Sequence, residues 1–431
     1  MGTKSYHIET LAIHAGQKPG GDASTLATAV PVYRTTAYNF RSSQHGANLF
    51  ALKEFGNIYS RLMNPTCDAL GARLAALEGG AAAQVLSSGT AAIYFTITNI
   101  ARAGDEIVAP ANVYGGTFAQ FNAILPNVGI RVRFTPVNDF GAVEAAINEK
   151  TRLLFVEALG NPALDIADIE GYAAVARRHH LPLVVDATFA PPPLLRAFDH
   201  GADFVIHSLS KWIGGHGTGI GGVVIEKGGF DWSDGKFALY NEPDAGYHGL
   251  RFAHDLPASL KSVAFSIRLL TVGIRNQGPC LAPDAAWLFL QSVESLPLRI
   301  ARHSENALAV AKWLEAHSKV AWVKYPSLTQ PELAAKYLPH GAGGVVVFGV
   351  KGGAEAARKV TDAANGDIFS IVANVGDAKS LIIHPASTTH SQLSEEELER
   401  GGLKPELIRL SIGLEHIDDI LAALDDALKA I

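Results

Sequence analysis

Short apolar runs recur along the chain from about residue 82, and each is followed by an alanine-rich stretch with helical spacing. The runs are Gln84-Val85-Leu86, Glu106-Ile107-Val108-Ala109, Arg131-Val132-Arg133-Phe134, Leu153-Leu154-Phe155-Val156, Leu183-Val184-Val185 and Phe204-Val205-Ile206. Several are apolar nearly throughout, which a strand tolerates when both of its faces are covered. The pattern predicts an α/β fold of βαβα units, with a mostly parallel central sheet between helical layers. Ligands on such sheets gather beyond the carboxyl ends of the strands, so the polar residues after each run are where chemistry is expected.

Outside this core the pattern changes twice. The first sixty residues are rich in Gly, Thr, Asn and Pro and hold no sustained period, which predicts an arm that gains order by packing elsewhere, such as on a neighbouring subunit. Between Gly228 and Pro283 the alternation lapses, and Phe230, Trp232, Phe237, Tyr240, Tyr247 and Phe252 stand among Gly and Asp, an insertion read as a candidate lid. From about residue 284 helical patterns dominate. Strands are expected at Gly344-Val345-Val346-Val347-Phe348 and from Leu407 to Ile412, before a last helix with Ile417, Ile420, Leu421, Leu424, Leu428 and Ile431 on one face. The expected division is an arm over 1–65, a large domain over 66–283 and a smaller α+β C-terminal domain over 284–431.

Composition narrows the class of function. The 431 residues, 48% hydrophobic and 18% charged, are ordinary for a globular chain of two or three domains. A net charge of −6 and a pI near 6.2 give no footprint for nucleic acid or an anionic membrane, so a small-molecule substrate is expected. Two cysteines, Cys67 and Cys280, supply neither a disulfide framework nor a zinc site by themselves. Met1 to Gly16 has no basic segment leading into an apolar run, and no long apolar stretch follows, so a cytoplasmic location is expected.

The strongest chemical signal is a pair of strand ends, Val184-Val185-Asp186-Ala187-Thr188 and Val205-Ile206-His207-Ser208-Leu209-Ser210-Lys211-Trp212. A lysine directly after a buried strand, flanked by hydroxyls and glycines, is partly desolvated, and desolvation lowers its pKa toward nucleophilic use. That suits Lys211 to a Schiff base, and Asp186 on the neighbouring strand suits the task of keeping a pyridinium nitrogen protonated. Ser87-Ser88-Gly89-Thr90 stands between a strand and a helix, where glycine admits an anion and helix amides point at it. With Ser208 and Ser210 it makes a phosphate cup. Gly217-Thr218-Gly219-Ile220-Gly221-Gly222 has the glycine spacing of a dinucleotide site, but Val223-Val224-Ile225 continues as a strand where that site needs a helix. The pairs His179-His180 and His384/His390 lack companions with metal-ligand spacing, so no metal is expected.

In these residues the chain resembles the Cys/Met-metabolism family of pyridoxal 5'-phosphate (PLP) enzymes, the cystathionine γ-synthase-like enzymes with the aspartate aminotransferase-type fold (fold type I). His207 to His216 is similar to the family's lysine segment, with Ser210 where threonine is commoner. The resemblance implies that Lys211 carries PLP, that Gly89 and Thr90 hold its phosphate through their amides, and that Tyr114 stacks on its ring. It further implies that Asn161 lies near the 3′ oxygen and the substrate, and that Arg409 holds the substrate carboxylate beside Asn374. Ser88, Thr188, Ser208 and Ser210 complete the cofactor set, and Lys211, Tyr114 and Asp186 are the expected catalytic residues. Tyr59 and Arg61, in Tyr59-Ser60-Arg61, match a pair that reaches the phosphate of an adjacent subunit, which implies a homotetramer built from active-site-sharing dimers.

The strand around Arg409 supports its part independently, because Ile408, Leu410 and Ile412 fall on one face and Arg409 and Ser411 on the other. Arginine's planar fork suits a carboxylate. Within the family, Tyr114-Gly115-Gly116-Thr117, Asn374 to Leu381 and Ile383 to His390 are similar to the O-acetylhomoserine sulfhydrylases. That similarity implies γ-replacement on O-acetylhomoserine by sulfide or methanethiol, giving homocysteine or methionine. A methionine or cystathionine γ-lyase, a cystathionine γ-synthase and a PLP-fold binding protein without turnover are the alternatives, the last opposed by the intact Lys211, Asp186, Tyr114 and Arg409.

Overall fold

A computed structural model describes residues 6–17, 25–388 and 403–431, so Thr389 and His390 lie outside the described residues. The six apolar runs form six strands of a seven-stranded sheet: β1 (Ala82–Leu86), β2 (Glu106–Pro110), β3 (Arg131–Thr135), β4 (Thr151–Glu157), β5 (Leu183–Asp186) and β6 (Phe204–Ser208), with β7 (Gly222–Glu226) as the seventh. The strand order is β1-β7-β6-β5-β4-β2-β3. Strands β2 to β6 pair in parallel, while β7 runs antiparallel to both β1 and β6. The glycine-rich turn before β7 therefore leads into a strand, as its sequence predicts.

Alternation along each strand divides the interior into two cores. Leu154, Val156, Val185 and Val205 face one core, shared with the helix Ile169–Arg178 and the C-terminal domain. Leu153, Phe155, Val184, Phe204 and Ile206 face the other. Against that second face pack Trp232, Phe237, Tyr240, Tyr247 and Phe252, all buried. Trp232 stacks on Tyr240 at 4.0 Å, and Phe265 meets Phe204 at 4.3 Å. The aromatic insertion is thus core. Its residues are irregularly spaced because they lie on turns and short helices such as Ala238–Asn241 and Ala264–Arg268, and each turn presents its aromatic inward.

The arm, which shows no sustained period in sequence, holds two short helices among its described residues. It contains α1 (Ile8–His14) and α2 (Ser43–Phe50), each too short to show a sustained period. Arg73 of α3 (Pro65–Glu78) donates through Nε to the carbonyl of Ala15 at 2.8 Å, so α1 packs on its own chain. Gly16 lets the chain leave that contact: its φ is +76°, and a Cβ there would lie 2.2 Å from the Ala69 carbonyl oxygen.

The C-terminal domain carries a second sheet of β8 (Val320–Lys324), β9 (Val345–Val350), β10 (Phe369–Ile371), β11 (Ser380–Ile383) and β12 (Leu407–Ser411), ordered β10-β11-β12-β9-β8. Three of these strands carry no clear signal in the sequence. The last helix, Ile417–Leu428, buries Ile420, Leu424 and Leu428, with Ile417 and Leu421 at the edge of the core.

Candidate active site

The strand ends of the large sheet and a loop of the smaller domain enclose a cavity of about 430 Å³. Its wall contains Ser88, Gly89, Thr90, Tyr114, Asn161, Asp186, Thr188, Ser208, Ser210, Lys211, Asn374 and Arg409. Twelve of the fourteen expected site residues thus converge, from segments spread over more than three hundred positions. Tyr59 and Arg61 lie elsewhere on the surface: Arg61 stacks over Tyr59 at 5.5 Å and donates through Nη1 to the Arg275 carbonyl. No residue of 228–283 lines this cavity.

The anion end is built by close backbone approach. Ser88 caps α4 (Gly89–Ile100), its Oγ accepting from the Ala91 amide at 3.0 Å. Gly89 and Thr90 are the first two helical residues, whose amides have no intrahelical acceptor. A Cβ on Gly89 would sit 2.6 Å from Cβ of Ser208, and one on Gly222 would sit 2.1 Å from the Ser88 carbonyl oxygen. Only glycine lets this loop press against the ends of β6 and β7. Ser210 Oγ accepts from the Gly221 amide at 3.1 Å, which leaves its O–H as a donor.

Three polar residues end adjacent strands on the same face. Glu157 of β4 is in register with Asp186 of β5, and Ser208 ends β6 two positions after Ile206, the partner of Asp186. Thr188 joins them: its amide and hydroxyl donate to Asp186 Oδ1 at 2.9 and 2.6 Å, and its Oγ1 accepts from the Ser208 amide at 2.9 Å. Burial raises the Asp186 pKa, opposed by the Thr188 hydrogen bonds and by the field of His207. Glu157 is held well above the usual carboxylate range by burial and by the charge of Asp186. Burial thus disfavours the ionised form of both carboxyls, while the Thr188 hydrogen bonds and the field of His207 favour ionisation at Asp186.

Across the cavity, Lys211 donates through Nζ to Asn374 Oδ1 at 2.7 Å. Burial, and then the charge of Arg409, lower the pKa of its amine. Arg409, on β12, donates to Asn161 Oδ1 at 3.0 Å and to the Asn374 carbonyl at 3.4 Å. Burial draws its pKa down to about 10, so it stays a cation at neutral pH. The donor set fits PLP: amides and hydroxyls for a phosphate, a buried carboxylate for a ring nitrogen, and an amine with a lowered pKa.

Two contributors had no place in the sequence reading. Glu157 directly follows the run Leu153 to Val156, where polar groups after strands are expected, but nothing in sequence sets it apart from other charges that end strands. Arg299, on the helix Leu296–Ala316, donates to the carbonyls of Trp212 and Ile213 at 2.8 and 3.1 Å and so props the turn that carries Lys211. Nothing in its helical surroundings signals that contact. His179 and His384 have ordinary partners, Glu144 and Ser387, and no group of three or more His, Cys, Asp or Glu gathers among the described residues.

Comparisons with known proteins agree with this chemistry. Residues 9–429 match the family described as Cys/Met metabolism PLP-dependent enzyme. The chain is 48% identical to an O-acetyl-L-homoserine sulfhydrylase of Leptospira meyeri, covering 99% of this chain and 98% of that protein. It is 49% identical to O-acetyl-L-homoserine sulfhydrylase 1 of Thermus thermophilus, over 98% and 99%. A homocysteine synthase of Schizosaccharomyces pombe is 47% identical over the whole of both chains. The fold matches a crystal structure of a putative O-acetylhomoserine (thiol)-lyase from Campylobacter jejuni with a TM-score of 0.93 and 42% identity, covering 98% of this chain and 100% of that one. That structure contains a pyridoxyl-lysine monophosphate. With its sheet order, its lysine at the end of β6 and a match over nearly its whole length, the chain belongs to the Cys/Met metabolism PLP-dependent enzyme family.

Proposed function

We propose that this protein is an O-acetylhomoserine sulfhydrylase, an aminocarboxypropyltransferase that replaces the acetoxy group of O-acetyl-L-homoserine with sulfide or methanethiol. The observation that carries the reading is the cavity itself, where Lys211, Asp186 and Arg409 converge in a chain nearly half identical to sulfhydrylases along its full length. The amides of Gly89 and Thr90 and the hydroxyls of Ser208 and Ser210 would hold the PLP phosphate, Asp186 the ring nitrogen, and Tyr114 the ring face. Bound there, the cofactor supplies an electron sink for negative charge formed at the substrate's α-carbon.

The protein's own groups do the rest. Arg409 binds the substrate carboxylate through its planar fork, with Asn161 and Asn374 fixing the fork's orientation. Lys211, its pKa lowered by burial, takes the α-proton and then moves protons at the α- and β-carbons, so that acetate leaves from the γ-carbon and a thiolate adds there. Tyr114, on the cavity wall and partly exposed, would assist by passing a proton to the leaving group. The same reading makes the enzyme cytoplasmic and a homotetramer of dimers in which Tyr59 and Arg61 serve the partner's site. Supporting it are the absence of a membrane-spanning helix among the described residues and the position of Tyr59 and Arg61 away from their own chain's cavity.

Product analysis tests the reading. Purified protein supplied with O-acetylhomoserine and sulfide is expected to release acetate and homocysteine in equal amounts. Mostly 2-oxobutyrate and ammonia, with or without sulfide, would make it a lyase instead.

A further inference from the structure

Glu157 belongs to the cavity, yet the reaction just described gives it nothing to do. Its Oε1 accepts from the Tyr114 amide at 2.7 Å, and the backbone of Asn161 faces the same carboxyl and favours its ionised form. Those residues come from different segments: Tyr114 directly precedes the short helix Gly115–Ala119 after β2, and Asn161 lies on the loop after β4. Glu157 itself is anchored by the β4 ladder in register with Asp186, and its residue is only 9% exposed.

We propose that Glu157 is a positioning residue whose carboxyl ties the Tyr114 backbone to the end of β4 and braces the Asn161 backbone that faces it, setting where the Tyr114 ring and the Asn161 amide face the cavity. The inference rests on the reading of the cavity as the PLP site and adds a residue to it. Tyr114 follows its backbone closely, because its ring lies against Gly116, where a Cβ would be 2.5 Å from Cε1 of Tyr114. Asn161 in turn is the side-chain acceptor for Arg409, so a shift of its backbone reaches the carboxylate-binding fork. Burial and the charge of Asp186 disfavour the ionised form of Glu157, and its Oε1 can accept from the Tyr114 amide with or without a proton on the carboxyl.

Amide hydrogen exchange of the holoenzyme, read by mass spectrometry, tests the proposal without turnover, so a failed sulfhydrylase assay leaves it intact. Glu157→Ala removes the acceptor, and Glu157→Met does so at similar volume should the alanine variant not fold. Either is expected to speed exchange in residues 112–118 and 159–164 by about tenfold or more, with β5 and β6 unchanged. Glu157→Gln keeps a neutral acceptor of the same shape and is expected to restore exchange to within about twofold of the parent, as rescue by a neutral acceptor requires. In the variants lacking the acceptor, kcat should fall while the KM for the amino-acid substrate rises, since both tied segments are affected. Unchanged exchange without the acceptor, equal loosening of all segments, or a glutamine variant as loose as the alanine one would each overturn the proposal.

Discussion

The amine of Lys211 and the side-chain oxygen of Asn374 stand 2.7 Å apart, joining the turn after β6 to the loop between β10 and β11. The contact aims the amine into the cavity, and the buried setting that lowers its pKa favours the neutral, nucleophilic form. Borohydride reduction of the holoenzyme should therefore fix PLP on Lys211, and Lys211→Ala should retain no reducible link. Peptide mapping checks this. A label on any other lysine would overturn the assignment.

Arg409 is expected to act through geometry as well as charge. It is buried and held by two acceptors that suit a planar fork better than an ammonium. Arg409→Lys keeps the charge but loses the bidentate contact, and hydrogen bonds to charged groups are worth about 1.5–3 kcal/mol. A rise of about ten- to hundredfold in KM for O-acetylhomoserine is expected, larger than the fall in kcat. Steady-state kinetics at saturating sulfide measures both. An unchanged KM would remove Arg409 from carboxylate binding.

The parts of the fold that were legible in sequence are those where one local property decides the outcome. Runs such as Leu153 to Val156 have to be buried on both faces, which sets the sheet and, through it, the positions of Asp186 and Lys211. The aromatic insertion was legible as an interruption but not as core, because its destination is a face of the sheet built by strands far earlier in sequence. Strand β10 has three residues and β11 four, too few for alternation to show. Glu157 looks like any charge that ends a strand; its register with Asp186 and its bond to Tyr114 appear only once the strands are paired. Arg299 was hidden for the same reason, since its acceptors are carbonyls, which carry no sequence signature.

A second buried carboxyl gives a stability prediction. Glu226 ends β7 opposite Phe204, at the end of the sheet away from the cavity, and accepts from the Ser266 amide at 2.9 Å while its Oε1 has no partner. Burial pushes its pKa up to about 7, against an ordinary value of 4.5. Because the folded value is the higher one, the stabilising contribution is full below about pH 4.5 and is lost as pH rises toward 7. Glu226→Gln keeps the hydrogen bond without the ionisation, so it should stabilise the protein at pH 8 by about 3 kcal/mol at most, an advantage that shrinks toward pH 5. Thermal midpoints at one scan rate across that range decide the matter. The same difference at pH 5 and pH 8 would show that ionisation of Glu226 is not involved.

The shared site rests on where Tyr59 and Arg61 are not. Both lie off the cavity of their own chain, and Tyr59 is 40% exposed. Arg61 spends its guanidinium on the Tyr59 ring and on a backbone carbonyl, partners that a phosphate would readily replace. If they serve a neighbour, Arg61→Ala and Lys211→Ala damage opposite halves of one composite site, and each variant alone should be inactive or nearly so. In a hybrid dimer, both defects fall on the same site and the other site is intact. Random mixing makes about half the dimers hybrid with one good site in two, so co-expression should recover about a quarter of the parent activity per site. Tagging the two chains differently and purifying the doubly tagged tetramers should raise that modestly, to about 0.29, because such tetramers still include pairs of homodimers. Doubly tagged hybrids as inactive as the two variants would mean that each chain builds its site from its own residues.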